Sequence, residues 1–154
     1  MVEVKIEPIG YVTSSIKNPK EMSLFCKKGI NSPLISKISL KKEFKKGLEG
    51  LEKFSHIFVI YFLHKEKRVE LKTYPAPTRV KNLPKVGVFA SRSQCRPNHI
   101  ALKLVELIKV NQNEIIVKGL DGIDGSPVLD IKPYIPGFDK PEKTRVAEWY
   151  DWLK

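Results

Sequence analysis

The run Ser55-His56-Ile57-Phe58-Val59-Ile60-Tyr61-Phe62-Leu63-His64 constrains the fold more than any other stretch. Between its polar ends every residue is β-branched, aromatic or leucine, the composition of a strand rather than a surface helix. A strand this apolar reads as buried on both faces. Period two places His56, Phe58, Ile60, Phe62 and His64 on one of them. Such a strand needs strand neighbours, and the chain supplies them. Leu34 to Leu40 (LISKISL) is a short strand, and Val86-Gly87-Val88-Phe89-Ala90 is another. Ile100 to Val110 (IALKLVELIKV) fits helix or strand by periodicity alone. Its Val and Ile content, and the Asn111-Gln112-Asn113 turn before NEIIVKGL, favour a hairpin. Val128 to Pro136 (VLDIKPYIP) is a strand ended by prolines. At the start, Val2, Val4 and Ile6 alternate with Glu3, Lys5 and Glu7, predicting a half-buried strand that ends near Pro8 and Gly10.

Helical signal is sparse. Gly47 to Phe54 (GLEGLEKF) allows one or two helical turns, weakened by its glycines. Residues 146–154 predict a final amphipathic helix with Trp149 and Trp152 partly docked. Residues 13–36 and most of 65–85 read as loop. With no repeat, low-complexity segment or linker, residues 1–154 form one mainly β domain, a barrel or sandwich with short peripheral helices.

Hydrophobic residues make up 42% of the 154, enough for a sizeable core without a disulfide staple. No apolar run reaches the length of a membrane span. The opening MVEVKIEPIG lacks the apolar stretch and cleavage site of a signal peptide. Cys26 and Cys95 form no C-x-x-C pair, so a reducing cytoplasm is the simplest expected setting. Lysine and arginine number 28 against 17 acids, a net charge of +11. That excess suits a polyanionic partner such as nucleic acid. It equally suits a lysine-rich surface selected for solubility or heat tolerance. The lysine runs Lys27-Lys28 and Lys41 to Lys46 fit either reading.

Familiar ligand signatures are missing. There is no G-x-G-x-x-G and no G-x-x-x-x-G-K-[ST], which argues against a Rossmann or P-loop nucleotide site. The Asp121-Gly122-Ile123-Asp124-Gly125 turn is no calcium loop: Ile123 holds the third position, and Lys132 stands where the closing glutamate belongs. The cysteines and three histidines show no zinc-ligand spacing, so no metal is expected.

Three groups remain. Arg92 and Arg96 in SRSQCRPN are rigid forks suited to carboxylate or phosphate, or to structural hydrogen bonds in a basic loop. His64 ends the apolar strand, as a satisfied rim histidine or a functional one. Asp121, Asp124 and Asp130 can accept from ribose hydroxyls, an ammonium or an arginine, or serve simply as turn residues. Lys132 and Tyr134 follow Asp130 on one strand face.

Taken together, GLEGLEKFSHIFVIYFLH, VGVFASRSQCRPNHIALKLVEL and GLDGIDGSPVLDIKPYIP resemble, in order and spacing, the TsaA-like family, also called TrmO. The blocks cover most of residues 47–136. The resemblance implies a small β-barrel that binds S-adenosylmethionine without a Rossmann fold, as a homodimer. It implies methyl transfer from that cofactor to the N6 nitrogen of threonylcarbamoyl-adenosine beside the tRNA anticodon. Neutralising tRNA phosphates would use the positive charge, and the target base already lies in a single-stranded loop.

By position, the resemblance makes Arg92 a cofactor contact, with Phe89 beside it and His64-Lys65 as a strand-end pair. Leu104 becomes an apolar wall. Asp121, Gly122, Ile123, Asp124, Gly125 and Ser126 become the cradling loop. Phe25-Cys26-Lys27 occupies the place where the family carries P-R-Q. Asp124 or Asp130 would orient the N6 hydrogens, while Lys132 and Tyr134 support the target base or a dimer contact. Arg96, Asn98, His99 and Lys103 would face nucleic acid. The chain departs from the family pattern at Lys65 (usually Gln), His99 (Pro), Ala101 (Gly) and Lys103 (a small residue). These departures keep two alternatives open: a methyltransferase of this fold with another acceptor, and a cofactor- or RNA-binding module without turnover. Cys26 and Cys95 both fall near the implied site, as a thiol pair, a disulfide, soft metal ligands or two unrelated residues.

Overall fold

Ile57, Val59 and Tyr61 are at most 2% exposed, whereas Phe58 and Ile60 are half-buried and Phe62 is exposed. The apolar run is therefore covered on one face only, not on both. The reason is closure: a small barrel buries the inner face of each strand and leaves the outer face to solvent. The structure, a computed structural model, describes residues 1–25, 32–75, 80 and 82–153, with the side chains of 23–25 and 152 outside the description. Its strands are β1 (Gly10–Thr13), β2 (Ile35–Leu40), β3 (His56–Phe62), β4 (Lys72–Thr73), β5 (Val86–Gly87), β6 (Ile100–Asn111), β7 (Glu114–Lys118) and β8 (Pro127–Pro133). Six of them close into a barrel in the order β1-β2-β7-β6-β3-β8, and β4 and β5 form a separate ribbon. Neighbours in the barrel are antiparallel throughout.

The interior is filled by the inward residue of every second position. Val12, Ile38, Ile57, Val59, Val105, Ile115, Val117 and Val128 are at most 2% exposed. The β6–β7 hairpin stands where expected, with Gln112 taking the positive φ (53°) that its tight turn requires. The mainly β barrel expected from the sequence is what forms.

Several local expectations are corrected. Val2, Val4 and Ile6 are 90%, 77% and 55% exposed and join no strand. The first strand starts at Gly10, where β1 seals the barrel between β2 and β8. Once sealed, the barrel offers no edge for an earlier segment. Only glycine fits at that seam, because a Cβ on residue 10 would run into the Ser39 carbonyl oxygen and lie 2.9 Å from Leu40 Cα.

Val86 to Ala90 is not one strand. It leaves the sheet after Gly87 and turns through a 3-10 helix at Val88–Ala90. That turn buries Val88 at 1% and throws Phe89 outward at 78%. The expected loop of residues 13–36 contains a short helix, α1 (Pro19–Phe25). Its start is locally encoded. Asn18 Oδ1 accepts from the Lys20 and Glu21 amides, Pro19 occupies the first helical position, and Glu21 Oε2 accepts from the Lys17 amide. The region around GLEGLEKF forms 3-10 helices at Lys42–Leu48 and Leu51–Lys53, joined through Gly50 at φ 86°. After β8 comes α2 (Pro136–Asp139), and the C-terminal Glu148–Leu153 is a 3-10 rather than an α-helix, with Trp149 half-buried.

Candidate functional site

One end of the barrel collects most of the chemistry. The ends of β3 and the start of β6 meet there with residues 14–22, 88–99 and 119–126. Leu120 and Ile123 anchor the last of these segments at 0% and 5% exposure. Its backbone is stitched to the N-terminal segment: Asp124 N donates to Ile16 O and Gly125 N to Val12 O, both at 2.8 Å. Gly125 takes φ 77° at the turn, and Gly122 packs against Val12.

The carboxylates of this loop are engaged. Asp124 Oδ1 accepts from Ser14 N at 3.0 Å, and Oδ2 accepts from Lys17 Nζ at 2.8 Å. The Lys17 ammonium holds the Asp124 carboxyl below its ordinary range. Asp121 is buried, accepting from the Tyr61 hydroxyl at 2.8 Å and from Lys103 Nζ at 3.0 Å. Lys103 is therefore committed to Asp121, with its side chain 13% exposed. It lies opposite Val59 in the sheet, and period two carries Ala101, Lys103 and Val105 to the inner face of β6.

Ser126, 2% exposed, shares a 3.3 Å hydrogen bond with His64 Nδ1. Lys65 is exposed beside it. Burial, and then the Lys65 charge, push the His64 pKa below its ordinary 6.5. The unfolded chain therefore takes up this proton first, and stability that neutral His64 gives near neutrality is lost as pH falls through 6.5 toward the lowered value. Melting temperatures of wild type and His64→Gln, followed from pH 7.5 to 5.5, should diverge, with wild type falling further. Parallel curves would refute this.

The arginines have separate roles. Arg96 Nη1 donates to three carbonyls, of Ser91 at 2.9 Å, Val88 at 3.2 Å and Ser93 at 3.4 Å. Its guanidinium carbon sits 5.9 Å from the Phe89 ring centroid. Arg96 is thus the internal brace of the loop. Arg92 is exposed and commits Nη2 to Leu102 O at 2.8 Å. Asn98 is exposed in a turn. His99 adopts φ 47° and its Nε2 donates to Arg68 O at 2.9 Å, since a carbonyl can only accept. Cys95 is buried, with its sulfur 3.7 Å from Glu66 Oε2. Burial, and then Glu66, push its thiol pKa up. Arg68 holds the Glu66 carboxyl down to about 2. Cys26 and Lys27 lie outside the described residues, as does the Phe25 side chain. Among the described residues no group of three His, Cys, Asp or Glu is placed to hold a metal.

The remaining candidates lie elsewhere. Asp130 is four residues and Tyr134 eight residues beyond Ser126, which in extended chain spans up to about 13 and about 26 Å. Asp130 and Lys132 pair with Ile60 and Phe58 on the outer face and bond each other at 2.9 Å. Tyr134 packs edge-on to Phe58 and His56, with centroids at 5.8 and 6.5 Å. Leu104, opposite Phe58, is on that outer face too. At the far end of the barrel, Phe44, Leu48, Leu51, Phe54 and Ile131 line an open cavity of about 530 Å³.

The near end also enlists residues that the sequence did not flag. Tyr61, Ser14, Lys17 and Glu66 make the bonds above, and Met22 and Gln94 line a small cleft with His64 and Ser126. Tyr61 carried a signal, as the one polar tip on the inward positions of β3. Lys17 carried none, being 107 residues from its partner.

The family model of the tRNA-methyltransferase O N-terminal domain matches residues 13–140. A protein of Methanothermobacter thermautotrophicus named "Probable S-adenosyl-L-methionine-binding protein" is 42% identical over 139 residues, covering 90% of this chain and 95% of its own. The mouse "tRNA (adenine(37)-N6)-methyltransferase" is 40% identical over 144 residues, 91% of this chain but 33% of the mouse protein. The crystal structure of TrmO from Pseudomonas aeruginosa superposes with a TM-score of 0.76 at 28% identity, over 96% of this chain and 63% of that one. The chain spans less than two thirds of that structure and about a third of the mouse protein. A domain match over most of its length, joined to this closed barrel, places the chain in the tRNA-methyltransferase O N-terminal domain family.

Proposed function

We propose that this protein is an S-adenosylmethionine-dependent methyltransferase acting on tRNA, at the N6 nitrogen of threonylcarbamoyl-adenosine next to the anticodon. Support comes from the family, from relatives named as an S-adenosyl-L-methionine-binding protein and as a tRNA (adenine(37)-N6)-methyltransferase, and from the chemistry of the near end. The observation that carries the reading is the placing of an uncommitted guanidinium edge (Arg92), an exposed aromatic face (Phe89) and a neutral histidine–serine pair (His64, Ser126) around one barrel mouth.

These groups fit the cofactor. Its carboxylate matches the outward edge of Arg92, and its adenine matches the face of Phe89. His64, kept neutral, does not repel a sulfonium. When bound, the cofactor supplies an electrophilic methyl group. The cleft at His64 and Ser126 has room for about one water. A nucleoside would therefore lie across the open mouth, along Phe89 to Arg92, rather than inside it. What the protein adds is position, because methyl transfer needs the donor and acceptor in line and in contact. Lysines on the surface would hold the tRNA phosphates.

Titration calorimetry with S-adenosylmethionine tests this. Wild type should bind, and Arg92→Ala should weaken binding about tenfold or more, the loss of one charge-assisted hydrogen-bonded contact. Equal affinity in the two proteins would overturn the role of Arg92.

A second reading is favoured by one observation. Asp121 and Asp124 are each held by a lysine, and Asp130 is a strand-length away. A module that binds the cofactor without turnover would need no free carboxylate. Under either reading we propose a homodimer working in the cytoplasm. Sedimentation of the purified chain checks the first, with a monomer as the contrary result. No helix among the described residues is long and apolar enough to cross a membrane.

A further inference from the structure

We infer that Lys103 is a positioning residue for this site: its ammonium, held inside the barrel mouth by Asp121, clamps the loop of residues 121–126 to the wall formed by β3 and β6. The functional half of the inference rests on the cofactor-binding reading above; the structural half does not.

Among the described residues, the barrel interior is lined mainly by Val, Ile and Leu, with Tyr61 and Met22. A lysine aimed into it must be paired, because an isolated buried charge is too costly to keep. The pairing is tight and sheltered: Nζ to Asp121 Oδ2 is 3.0 Å, and the two side chains are 13% and 12% exposed. The other oxygen of Asp121 takes the Tyr61 hydroxyl at 2.8 Å. Both donors come from the wall, Tyr61 on β3 and Lys103 on β6, while the acceptor comes from the loop. The loop's backbone bonds run the other way, to Val12 and Ile16, and Asp124 adds Ser14 and Lys17. The loop is thus held on one side by the N-terminal segment and on the other by this ion pair.

What the clamp positions is specific. Five residues after Asp121, Ser126 meets His64, two residues past the end of β3. One residue before Lys103, the Leu102 carbonyl receives Arg92. The same stretch of wall therefore sets the loop, the histidine and the arginine relative to one another. Removing one partner of a buried pair leaves the other as an uncompensated charge. Without Lys103, Asp121 would turn toward water and draw the loop away from His64.

Amide hydrogen exchange and S-adenosylmethionine titration of Lys103→Met, Lys103→Arg and Tyr61→Phe test this. For Lys103→Met, amides of residues 120–126 should exchange about tenfold faster or more, while Ile115 and Val117 in β7 keep their protection. Cofactor affinity should fall by about tenfold, and Lys103→Arg should recover most of it. If Lys103→Met cannot be purified folded, Tyr61→Phe, which removes the neutral donor, should show the same localised loss at smaller size. Unchanged exchange and affinity would overturn the inference, as would protection lost evenly across the barrel. If wild type itself binds no cofactor, the proposed function fails, and the exchange pattern still decides whether the clamp exists.

Discussion

Arg96→Ala will melt about 6–12 °C below wild type, the shift expected from about 3 kcal/mol in a domain of this length. One nitrogen of Arg96 serves the carbonyls of Val88, Ser91 and Ser93. Alanine leaves all three without that donor and removes the cation beneath the Phe89 ring. Charged donors of this kind contribute more than neutral ones, and part-buried carbonyls are costly to leave unmet. The loop between β5 and β6 should lose its shape and S-adenosylmethionine binding should become undetectable by calorimetry. Arg92→Ala, by contrast, should bind weakly at a near-normal melting temperature, because Arg92 makes one bond to Leu102 O and is otherwise exposed. Equal melting temperatures for the two variants would contradict this division of labour between the arginines.

Ile57→Ala should cost about 3–4 kcal/mol, or about 6–16 °C. Ile57 is 0% exposed inside the barrel, with Val105 on one side and Pro133 on the other. The surrounding strands are locked in register, so the space left by three carbon atoms cannot collapse. Phe58→Ala, one residue along, should cost less despite deleting a larger ring, because that ring is half-buried on the outer face. Chemical denaturation of both proteins checks the order. A larger loss at Phe58 would mean that the outer face of β3 is covered by something other than Tyr134.

The contrast between these neighbours shows what sequence could reveal. Strand identity in β3, the β6–β7 hairpin and β8 was legible because it is written in local composition and turn residues. Burial on one face was not, because it depends on closure, and closure joins β1 to β8 across more than a hundred residues. The same closure explains why Val2, Val4 and Ile6 carry a strand pattern and pair with nothing. The Asn18-Pro19 start of α1 was readable, with Glu21 completing it, but it was submerged in a stretch rich in loop residues.

Site residues divide in the same way. The three motif blocks drew attention to His64, Arg92 and the Asp121 to Ser126 loop, and folding brings these to one barrel end. Asp130, Lys132 and Tyr134 belong to the same block as Ser126, yet strand length carries them down β8 and across to its outer face. Lys103 was expected to face nucleic acid, as a cation where the family carries a small residue. Counting by twos from Val105 would have turned it inward, but its partner Asp121 is 18 residues away, Tyr61 (the other donor to Asp121) is 60 residues from Asp121, and only the fold unites the three.

A labelled-methyl assay decides whether this protein transfers methyl groups to tRNA. Purified protein, S-adenosylmethionine carrying a labelled methyl group, and tRNA with or without threonylcarbamoyl-adenosine are incubated together, and the label on tRNA is counted. Label should enter the modified tRNA, with little entering tRNA that lacks the modification. Absence of label on both, from protein shown by calorimetry to bind the cofactor, would contradict methyl transfer to tRNA.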